Sequence, residues 1–205
     1  MIPARLVRTV PAETSDEVEA FWATAVGLHP EWDHVTLRDP IDPAQFPRTS
    51  PHWSRCGSGA QLAGLVRLEA IWTHGGVYID SDVECYRPMD DLLVLGCFAG
   101  WEDDQTVPDA VFGATAGHPA IGACLLLALE RLYSDSDDWW DGAGAWSTGP
   151  GVFTEVLPNR DDVTLFGPDA FYPYHYTERD RRHDDHRTRV PSAYAAHHWH
   201  GSWLA

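Results

Sequence analysis

The feature that most constrains the fold of this chain is a stretch near its middle that changes from a helical pattern to a strand pattern. Apolar residues surround most of the circumference of the helix predicted over 60–74, so this helix is expected to be buried. The glycine pair at 75–76 ends it, because a glycine can adopt positive φ there. The β-branched and aromatic residues at 77–79 then favour a buried strand.

Strand and helix patterns alternate along the whole chain, which predicts an α/β fold with a mostly parallel sheet. Strands are predicted at 5–10, 34–37, 77–79, 92–100, 110–114 and 163–166. Helices are predicted after the capping-box spacing of Thr14 and Glu17, over 60–74 and 119–133, and from 152 to 157. Loops are predicted at 38–59, 134–151 and 178–189, the last highly charged and mobile. The length of 205 residues favours one domain over 1–205, without an internal repeat.

Charge and composition limit the partners and the compartment. The formal net charge of −17 disfavours nucleic-acid binding, because an acidic surface repels phosphate backbones, although a metal ion can reverse the charge locally for a small nucleotide. The sequence contains neither an apolar run of membrane-spanning length nor a secretion signal. Its four cysteines have no zinc-binding spacing, and a disulfide framework is not expected. A cytoplasmic location is therefore expected.

Two acidic residues follow the central predicted strand. Asp80 and Asp82 are two residues apart, so in extended backbone their side chains project to the same face. Ligand sites in open α/β sheets lie at the carboxyl ends of strands, and two carboxylates held there repel each other unless a cation lies between them. Mg²⁺ and Mn²⁺ prefer oxygen ligands and leave positions for substrate phosphates, so such an ion can neutralise a departing diphosphate. The alternative is an ordinary acidic turn.

The segment RLEAIWTHGGVYIDSDVECYRPMDDLL resembles the DXD region of glycosyltransferases with the GT-A fold. The likeness is especially to family 32, which includes yeast mannosyltransferase-like enzymes and the catalytic domains of clostridial glucosylating toxins. Weaker similarities keep the family's order along most of the chain, in MIP, PEWDHVTLRD, FGATAGHP followed by STGPG, and AAHHWHGSW. The matching positions of the central motif are Arg67, Gly75, Gly76, Tyr78, Asp80, Asp82, Pro88 and Asp90.

The resemblance implies a GT-A fold, a divalent metal and transfer of a sugar with retention, which gives α-linkages. The implied metal ligands are Asp82, Asp80 and, as the first choice among the C-terminal histidines, His198. The implied donor-binding residues are Arg67, Tyr78, Asp80, Ser202 and Trp203. The implied acceptor-binding residues are Asp109, Gly149 and Pro150. Catalysis is assigned to Asp80, Asp82 and Arg67, and no dedicated catalytic base is recognised.

The chain departs from the family at several of these positions. Ala63 and Gly64 stand where the family commonly has a Ser-Asp pair before the arginine, and the lost carboxylate would bind the donor's ribose or sugar. Val7 and Val10 stand where the first strand usually carries a histidine and a tryptophan. Asp109 takes the place of an asparagine. Metal and diphosphate binding survive these changes, but the identity of the sugar and of the base does not follow.

Several of the singled-out residues have structural alternatives. Arg67 can form an ion pair with Asp80 or Glu84 instead of contacting a donor, because a buried arginine needs an acidic partner or a phosphate. Tyr78 can pack in the core. The sequence at 149–151 can simply form a turn, or it can let the backbone approach an acceptor where side chains do not fit.

Other residues carry weaker signals. His183 and His186 have a spacing that suits a metal on a helix, but the charge around them favours a loop. Trp139, Trp140 and Trp146 can offer flat faces to a sugar or can pack in a core.

The sequence thus predicts a metal-dependent retaining glycosyltransferase with Mn²⁺ or Mg²⁺ as cofactor. Its donor is expected to be a nucleotide-sugar, a UDP-sugar before GDP-mannose, and its acceptor a hydroxyl of a saccharide, a protein or another molecule. One alternative is a catalytically silent module that binds a nucleotide-sugar or a carbohydrate. The other is a metal-dependent phosphohydrolase that uses the same acids.

Overall fold

The computed structural model describes residues 1–134 and 144–200. Its strands are β1 (Arg5–Val10), β2 (Asp33–Arg38), β3 (Gly76–Ile79), β4 (Val83–Cys85), β5 (Cys97–Gly100), β6 (Val111–Ala114), β7 (Thr164–Phe166) and β8 (Ala195–His197). Six of them form a sheet in the order β2-β1-β3-β6-β5-β7. Within the described residues, β6 is the one strand of this sheet that runs against the other five. The predicted α/β fold with a mostly parallel sheet is confirmed.

The helices cover both faces of this sheet. They are α1 (Asp16–Leu28), α2 (Gly59–His74), α3 (Pro119–Arg131), α4 (Ala145–Thr148), α5 (Pro150–Val156) and α6 (His186–Arg189). Side chains of β3 alternate between two cores, as the two-residue period of a strand requires. Tyr78 packs in one core with Leu65 of α2, whereas Val77 and Ile79 pack in the other with Ala25 of α1.

The buried helix predicted in the middle of the chain and its glycine end are both present. Residues 64–71 of α2 are all buried, and the helix ends at Gly75, whose φ is 68°. A Cβ at Gly75 would lie 2.8 Å from the Ala116 amide nitrogen, so the position excludes side chains on steric grounds as well. Because β3 starts directly after this turn, the position of the glycine pair determines where the strand and the acidic residues after it lie.

A second, two-stranded sheet was not predicted. It pairs β4 with β8 in antiparallel fashion, with Val83 opposite His197 and Cys85 opposite Ala195. The pairing attaches the C-terminal part of the described chain to the segment that directly follows Asp82. The site described below depends on it.

Several local predictions were wrong. The N-cap of α1 is Ser15, and Thr14 donates its hydroxyl to Glu19 instead of closing a capping box with Glu17. The segment predicted as a charged loop at 178–189 contains the 3₁₀ helix Tyr176–His183 and α6, and it buries His186.

The region predicted as loop at 38–59 and 134–151 also contains short helices. Two 3₁₀ turns, Pro43–Gln45 and Ser50–Arg55, lie in the first part, and α4 lies in the second. Gly149 joins α4 to α5, so the sequence Gly-Pro-Gly is a helix junction rather than a plain turn. Among the described residues, no helix has both the length and the apolar character needed to cross a bilayer.

Candidate metal and donor site

Asp80 and Asp82 lie between β3 and β4 at the carboxyl edge of the main sheet. The Asp80 amide donates to the Ala110 carbonyl at 2.8 Å, which ties this turn to the start of β6. Pairing of β4 with β8 brings His197 to the same place, opposite Val83. One ligand atom of Asp80, one of Asp82 and one of His197 lie within 4.8 Å of one another. Residues from distant parts of the chain thus converge in a set that can hold a metal ion.

Asp82 is the most strongly held member of this set. Its Oδ1 lies 3.1 Å from Nε2 of His197, and its Oδ2 accepts a hydrogen bond of 2.9 Å from the His200 amide. Burial raises the pKa of the Asp82 carboxyl, but the charge and hydrogen bond of His197 and the His200 amide outweigh burial and hold this pKa well below its usual range. Asp82 is therefore an anion at neutral pH, as a metal ligand must be.

The choice of His198 as the metal-binding histidine requires a correction. Its Nε2 lies 3.1 Å from a carboxylate oxygen of Glu84, and its Nδ1 lies 3.0 Å from the hydroxyl of Tyr174. Successive residues along extended backbone project to opposite faces, so His197 reaches Asp82 and His198 reaches Glu84. We therefore replace His198 with His197 as the candidate ligand.

Arg67 of α2 lies behind Asp80. Its Nη2 is 3.1 Å from Asp80 Oδ1 and its Nη1 is 2.9 Å from Asp109 Oδ2, while the guanidinium also lies 4.6 Å over the ring of Tyr78. Burial opposes the charge, but Asp109 and Asp80 raise the pKa of Arg67 above its usual value, so the group stays charged. The structural alternative for Arg67 was an ion pair with Asp80 or Glu84. The pair with Asp80 is present, and the second ion pair is with Asp109 instead of Glu84.

Tyr78 also acts on Asp80. Its side chain is fully buried, and its hydroxyl donates to Asp80 Oδ1 at 2.8 Å and accepts from the Thr9 hydroxyl at 2.6 Å. The ring therefore has no exposed surface that a donor could contact. Arg67 and Tyr78, which were predicted to line the donor site, reach a donor in this structure only through Asp80.

Asp109 and Gly149, both predicted on the acceptor side, are neighbours. A Cβ at Gly149 would lie 3.0 Å from Asp109 Oδ2 and 2.8 Å from the Ala145 carbonyl oxygen, so the close approach requires glycine. Burial raises the pKa of Asp109 to about 6, against the opposing charge of Arg67. Pro150 begins α5 and is half-buried. Arg67 lies between this group and Asp80 and forms an ion pair with Asp109 on one side and Asp80 on the other.

Gly64, which differs from the acidic residue common in the family, lies where α2 packs closely against α4. A Cβ at Gly64 would lie 2.7 Å from both the hydroxyl and the carbonyl oxygen of Thr148. Thr148 is fully buried and donates its hydroxyl to the Gln61 carbonyl at 3.1 Å. A carboxylate side chain at position 64 therefore has no room.

Glu102, which lies at the same edge of the sheet, was not predicted from the sequence. It follows β5 as Asp80 follows β3, and this parallel is the signal that could have identified it. Its carboxylate is buried, lies 3.2 Å from Nε2 of His175 and accepts from the Tyr176 amide at 3.4 Å. Burial raises the pKa of Glu102 above its usual value.

Tyr172 was also missed. Its buried hydroxyl forms no hydrogen bond of ordinary geometry among the described residues, although the Val111 amide lies near it. The ring centroids of Tyr172 and His197 are 6.1 Å apart, so this side chain packs against the candidate metal ligand. No sequence signal distinguished it from the other tyrosines.

The remaining predictions divide into two groups. Ser202, Trp203, Trp139 and Trp140 lie outside the described residues. The pair His183 and His186 does not form a metal site, because His186 is buried with its ring centroid 4.2 Å from that of Tyr174, while His183 is exposed.

This fold is that of the GT-A glycosyltransferases. The PaToxG glycosyltransferase superposes with a TM-score of 0.56 at 14% identity, over 76% of this chain and 68% of that one. The galactosyltransferase LgtC, solved with donor and acceptor sugar analogues, superposes with a TM-score of 0.51 at 12% identity, over 98% of this chain and 91% of that one. The predicted GT-A fold is confirmed.

The sequence is similar to particular glycosyltransferases. The family described as a glycosyltransferase sugar-binding region containing the DXD motif matches residues 15–99, which include Asp80 and Asp82. Inositol phosphoceramide mannosyltransferase 2 of Schizosaccharomyces pombe is 24% identical over 196 residues, 91% of this chain and 55% of the relative. Human alpha-1,4-N-acetylglucosaminyltransferase is 26% identical over 150 residues, 65% of this chain and 40% of the relative. The resemblance to DXD glycosyltransferases is confirmed, and the chain spans about half the length of these relatives.

Proposed function

We propose that this protein is a metal-dependent glycosyltransferase that moves a sugar from a nucleotide-sugar to a hydroxyl of an acceptor. The observation that carries the proposal is the convergence of Asp80, Asp82 and His197 within 4.8 Å at the carboxyl edge of the sheet. Two carboxylates and an imidazole fit a divalent cation, and the two carboxylates favour Mn²⁺ or Mg²⁺. When bound there, the cation supplies positive charge to the diphosphate leaving group.

The chain's own residues orient the two aspartates. Tyr78 and Arg67 both contact Oδ1 of Asp80, so Oδ2 is available to a ligand. The positive charge of Arg67 also reduces the repulsion between Asp80 and Asp82 before a cation binds. Asp82 is oriented separately, by His197 and by the His200 amide. This arrangement supports Asp82 as the direct ligand and Asp80 as the residue shared between cation and donor.

For the donor and the linkage we propose a UDP-sugar, with GDP-mannose as the alternative, and transfer with retention to an α-linkage. The name of one relative, an alpha-1,4-N-acetylglucosaminyltransferase, supports the α-linkage, and the name of the other, a mannosyltransferase, supports the mannose alternative. Within the described residues, two other carboxylates beside the site are held in ion pairs, Glu102 with His175 and Asp109 with Arg67. This supports a reaction in which the departing phosphate takes the acceptor's proton on the same face of the sugar.

The Asp82→Asn variant tests the proposal. It keeps the size of the side chain and removes the charge, so metal-dependent release of UDP from UDP-sugars should fall by about 100-fold or more. The measurement is UDP or GDP release from a panel of nucleotide-sugars with Mn²⁺ and after chelation with EDTA. Asp33→Asn, which changes an exposed aspartate at the start of β2, is the matched control and should keep full activity. Undiminished activity of Asp82→Asn would contradict the assignment.

A second candidate is a module that binds a nucleotide-sugar without turning it over. The packing of Gly64 against Thr148 favours it, because this chain has no room for the carboxylate that resembling enzymes carry there. Calorimetry with nucleotide-sugars in the presence and absence of Mn²⁺ separates the two candidates. Binding without release of nucleoside diphosphate supports the second, and release of free phosphate instead points to a phosphohydrolase.

A further inference from the structure

The carboxyl edge of the sheet continues beyond the metal site into an open cavity that the proposed function has not used. Its volume is about 360 Å³, within the range of roughly 300–1,000 Å³ that small-molecule sites occupy. Its described lining consists of Trp101, Asp103, Asp104 and Pro168. The Trp101 amide, directly after β5, donates to the Phe166 carbonyl at the end of β7 at 2.9 Å. Because β5 and β7 are parallel, the cavity opens at the edge that also carries Asp80 and Asp82.

A series of contacts connects this cavity with the metal site. Glu102, next to Trp101, accepts a hydrogen bond from the Tyr176 amide at 3.4 Å. The ring centroid of Tyr176 lies 6.2 Å from that of Trp199, and the Trp199 centroid lies 4.1 Å from that of His197. This series of contacts runs from Glu102 through Tyr176 and Trp199 to the candidate metal ligand His197.

The wall of the cavity is held in place by its own hydrogen bonds. Oδ1 of Asp103 accepts from the amides of Gln105 and Thr106 at 2.8 and 2.7 Å. Nε2 of His175 lies 3.2 Å from Glu102 and 3.5 Å from Asp103. Burial raises the pKa of Asp103, but the two amides and His175 lower it below its usual value, so Asp103 is ionised. Because this wall is already ordered, little free energy is lost to the ordering of side chains when a ligand binds.

We propose that this cavity binds the acceptor, and that the acceptor is a neutral saccharide whose ring stacks on the indole of Trp101. The inference rests on the proposed sugar transfer and names the acceptor class for it. Trp101 is half-buried, packs against the core and contributes to the lining of the cavity. A pyranose ring presents an apolar C–H face together with hydroxyl donors, which match a flat aromatic ring beside carboxylate acceptors. Exposed Asp104 is the residue that accepts from these hydroxyls.

The charge of the cavity argues for a neutral ligand. Asp103 and Asp104 line the cavity, while buried Glu102 lies behind it and is paired with His175. A phosphorylated or carboxylated saccharide would meet like charge at this wall, which costs binding energy. The proposal therefore commits to uncharged sugars.

The binding experiment uses the full chain labelled with 5-fluorotryptophan and observed by ¹⁹F NMR. The probes are lactose and methyl α-mannoside as neutral saccharides and 3′-sialyllactose as an anionic one. The Trp101 resonance is assigned as the one missing from Trp101→Phe. At least one neutral probe should shift it in a saturable manner, and sialyllactose should bind about tenfold more weakly. The absence of any shift at Trp101 with both neutral probes, or equal binding of sialyllactose, overturns the proposal.

The activity experiment compares transfer to the saccharide with hydrolysis of the donor. In Trp101→Ala the ratio of transfer to hydrolysis should fall about tenfold through a higher KM for the acceptor, the loss expected when a central aromatic contact is removed. Trp72→Ala is the matched control, because Trp72 is a half-buried indole near the C-terminal end of α2, covered by Arg48, at the opposite edge of the sheet. Its ratio should not change. An unchanged KM in Trp101→Ala would refute the stacking role.

The two experiments separate failure of this inference from failure of the proposed function. If the chain releases no nucleoside diphosphate from any donor, the proposed transfer fails, while a saturable shift at Trp101 still supports a saccharide site. If donor turnover is intact and the saccharides shift other tryptophans instead of Trp101, the acceptor site lies elsewhere and only this inference falls.

Discussion

The central segment, from α2 through β4, and the C-terminal segment, from Tyr172 to His200, contribute to the same site but are stabilised in different ways. In the central segment the site residues belong to the core, because Arg67 and Tyr78 are buried and bond directly to Asp80. In the C-terminal segment a short two-stranded pairing brings His197 to Asp82. Changes at Arg67 or Tyr78 should therefore affect folding and function together, and a change at His197 should affect the site more than the fold.

Among the variants that test this comparison, Arg67→Met is expected to change the stability of the protein most. It removes the guanidinium and leaves Asp80 and Asp109 facing each other without their shared partner. The free energy of unfolding should fall by about 3–5 kcal/mol, because breaking a buried ion pair from one side leaves uncompensated charge. Urea denaturation followed by circular dichroism measures it.

The control for this variant is Arg160→Met. It breaks a half-exposed pair with Asp162 and should cost no more than about 1 kcal/mol. An equal decrease in the free energy of unfolding in the two variants would show that the central ion pairs stabilise the fold no more than this half-exposed pair does.

A smaller effect on folding and a clear effect on binding are expected from His197→Ala. Loss of the bond to Asp82 should lower the free energy of unfolding by about 1–3 kcal/mol, because Asp82 keeps the His200 amide as a partner. The affinity for Mn²⁺ should fall by about tenfold or more, because one of three candidate ligands is gone. Calorimetric titration with Mn²⁺ measures this affinity.

His198→Ala separates the two adjacent histidines. This variant loses the contacts with Tyr174 and Glu84 but leaves the metal ligands intact, so Mn²⁺ affinity should stay within about twofold of the original. A larger loss of affinity in His198→Ala than in His197→Ala would reverse the assignment of the ligand.

The smallest effect is expected from Tyr78→Phe. The ring and its packing remain, and only the hydroxyl between Thr9 and Asp80 is lost, which should cost about 1 kcal/mol in unfolding free energy. If Asp80 owes its orientation to this hydroxyl, donor turnover should fall as well while Mn²⁺ affinity changes less. A variant with unchanged stability and unchanged turnover would remove Tyr78 from the positioning of Asp80.

The same contrast explains how much of the molecule the sequence could predict. The helix ending at Gly75, the strand after it and the acidic pair depend on neighbouring residues, so local patterns were enough. The pairing of β4 with β8 joins distant residues, and no local pattern encodes it. A strand displaced by one residue turns every side chain to the other face, so only the register of β8 against β4 shows that His197, and not His198, lies at Asp82.

Two other features were hidden for a related reason. The parallel between Glu102 after β5 and Asp80 after β3 becomes meaningful only when the strand order is known. The exclusion of a side chain at Gly64 depends on Thr148, a residue of another helix. In both cases the deciding contact is tertiary, so local patterns in the sequence do not reveal it by themselves.

The bond between Asp82 and His197 joins residues 115 positions apart. An ion held by both would close that length of chain into a loop, in the manner of a removable cross-link. Cross-links of long loops restrict the unfolded chain strongly, and a ligand that binds only the folded state shifts the equilibrium toward folding. A bound ion would then also hold β8 to the rest of the protein, so the concentration of the metal would govern both the stability of this pairing and the binding of a sugar donor.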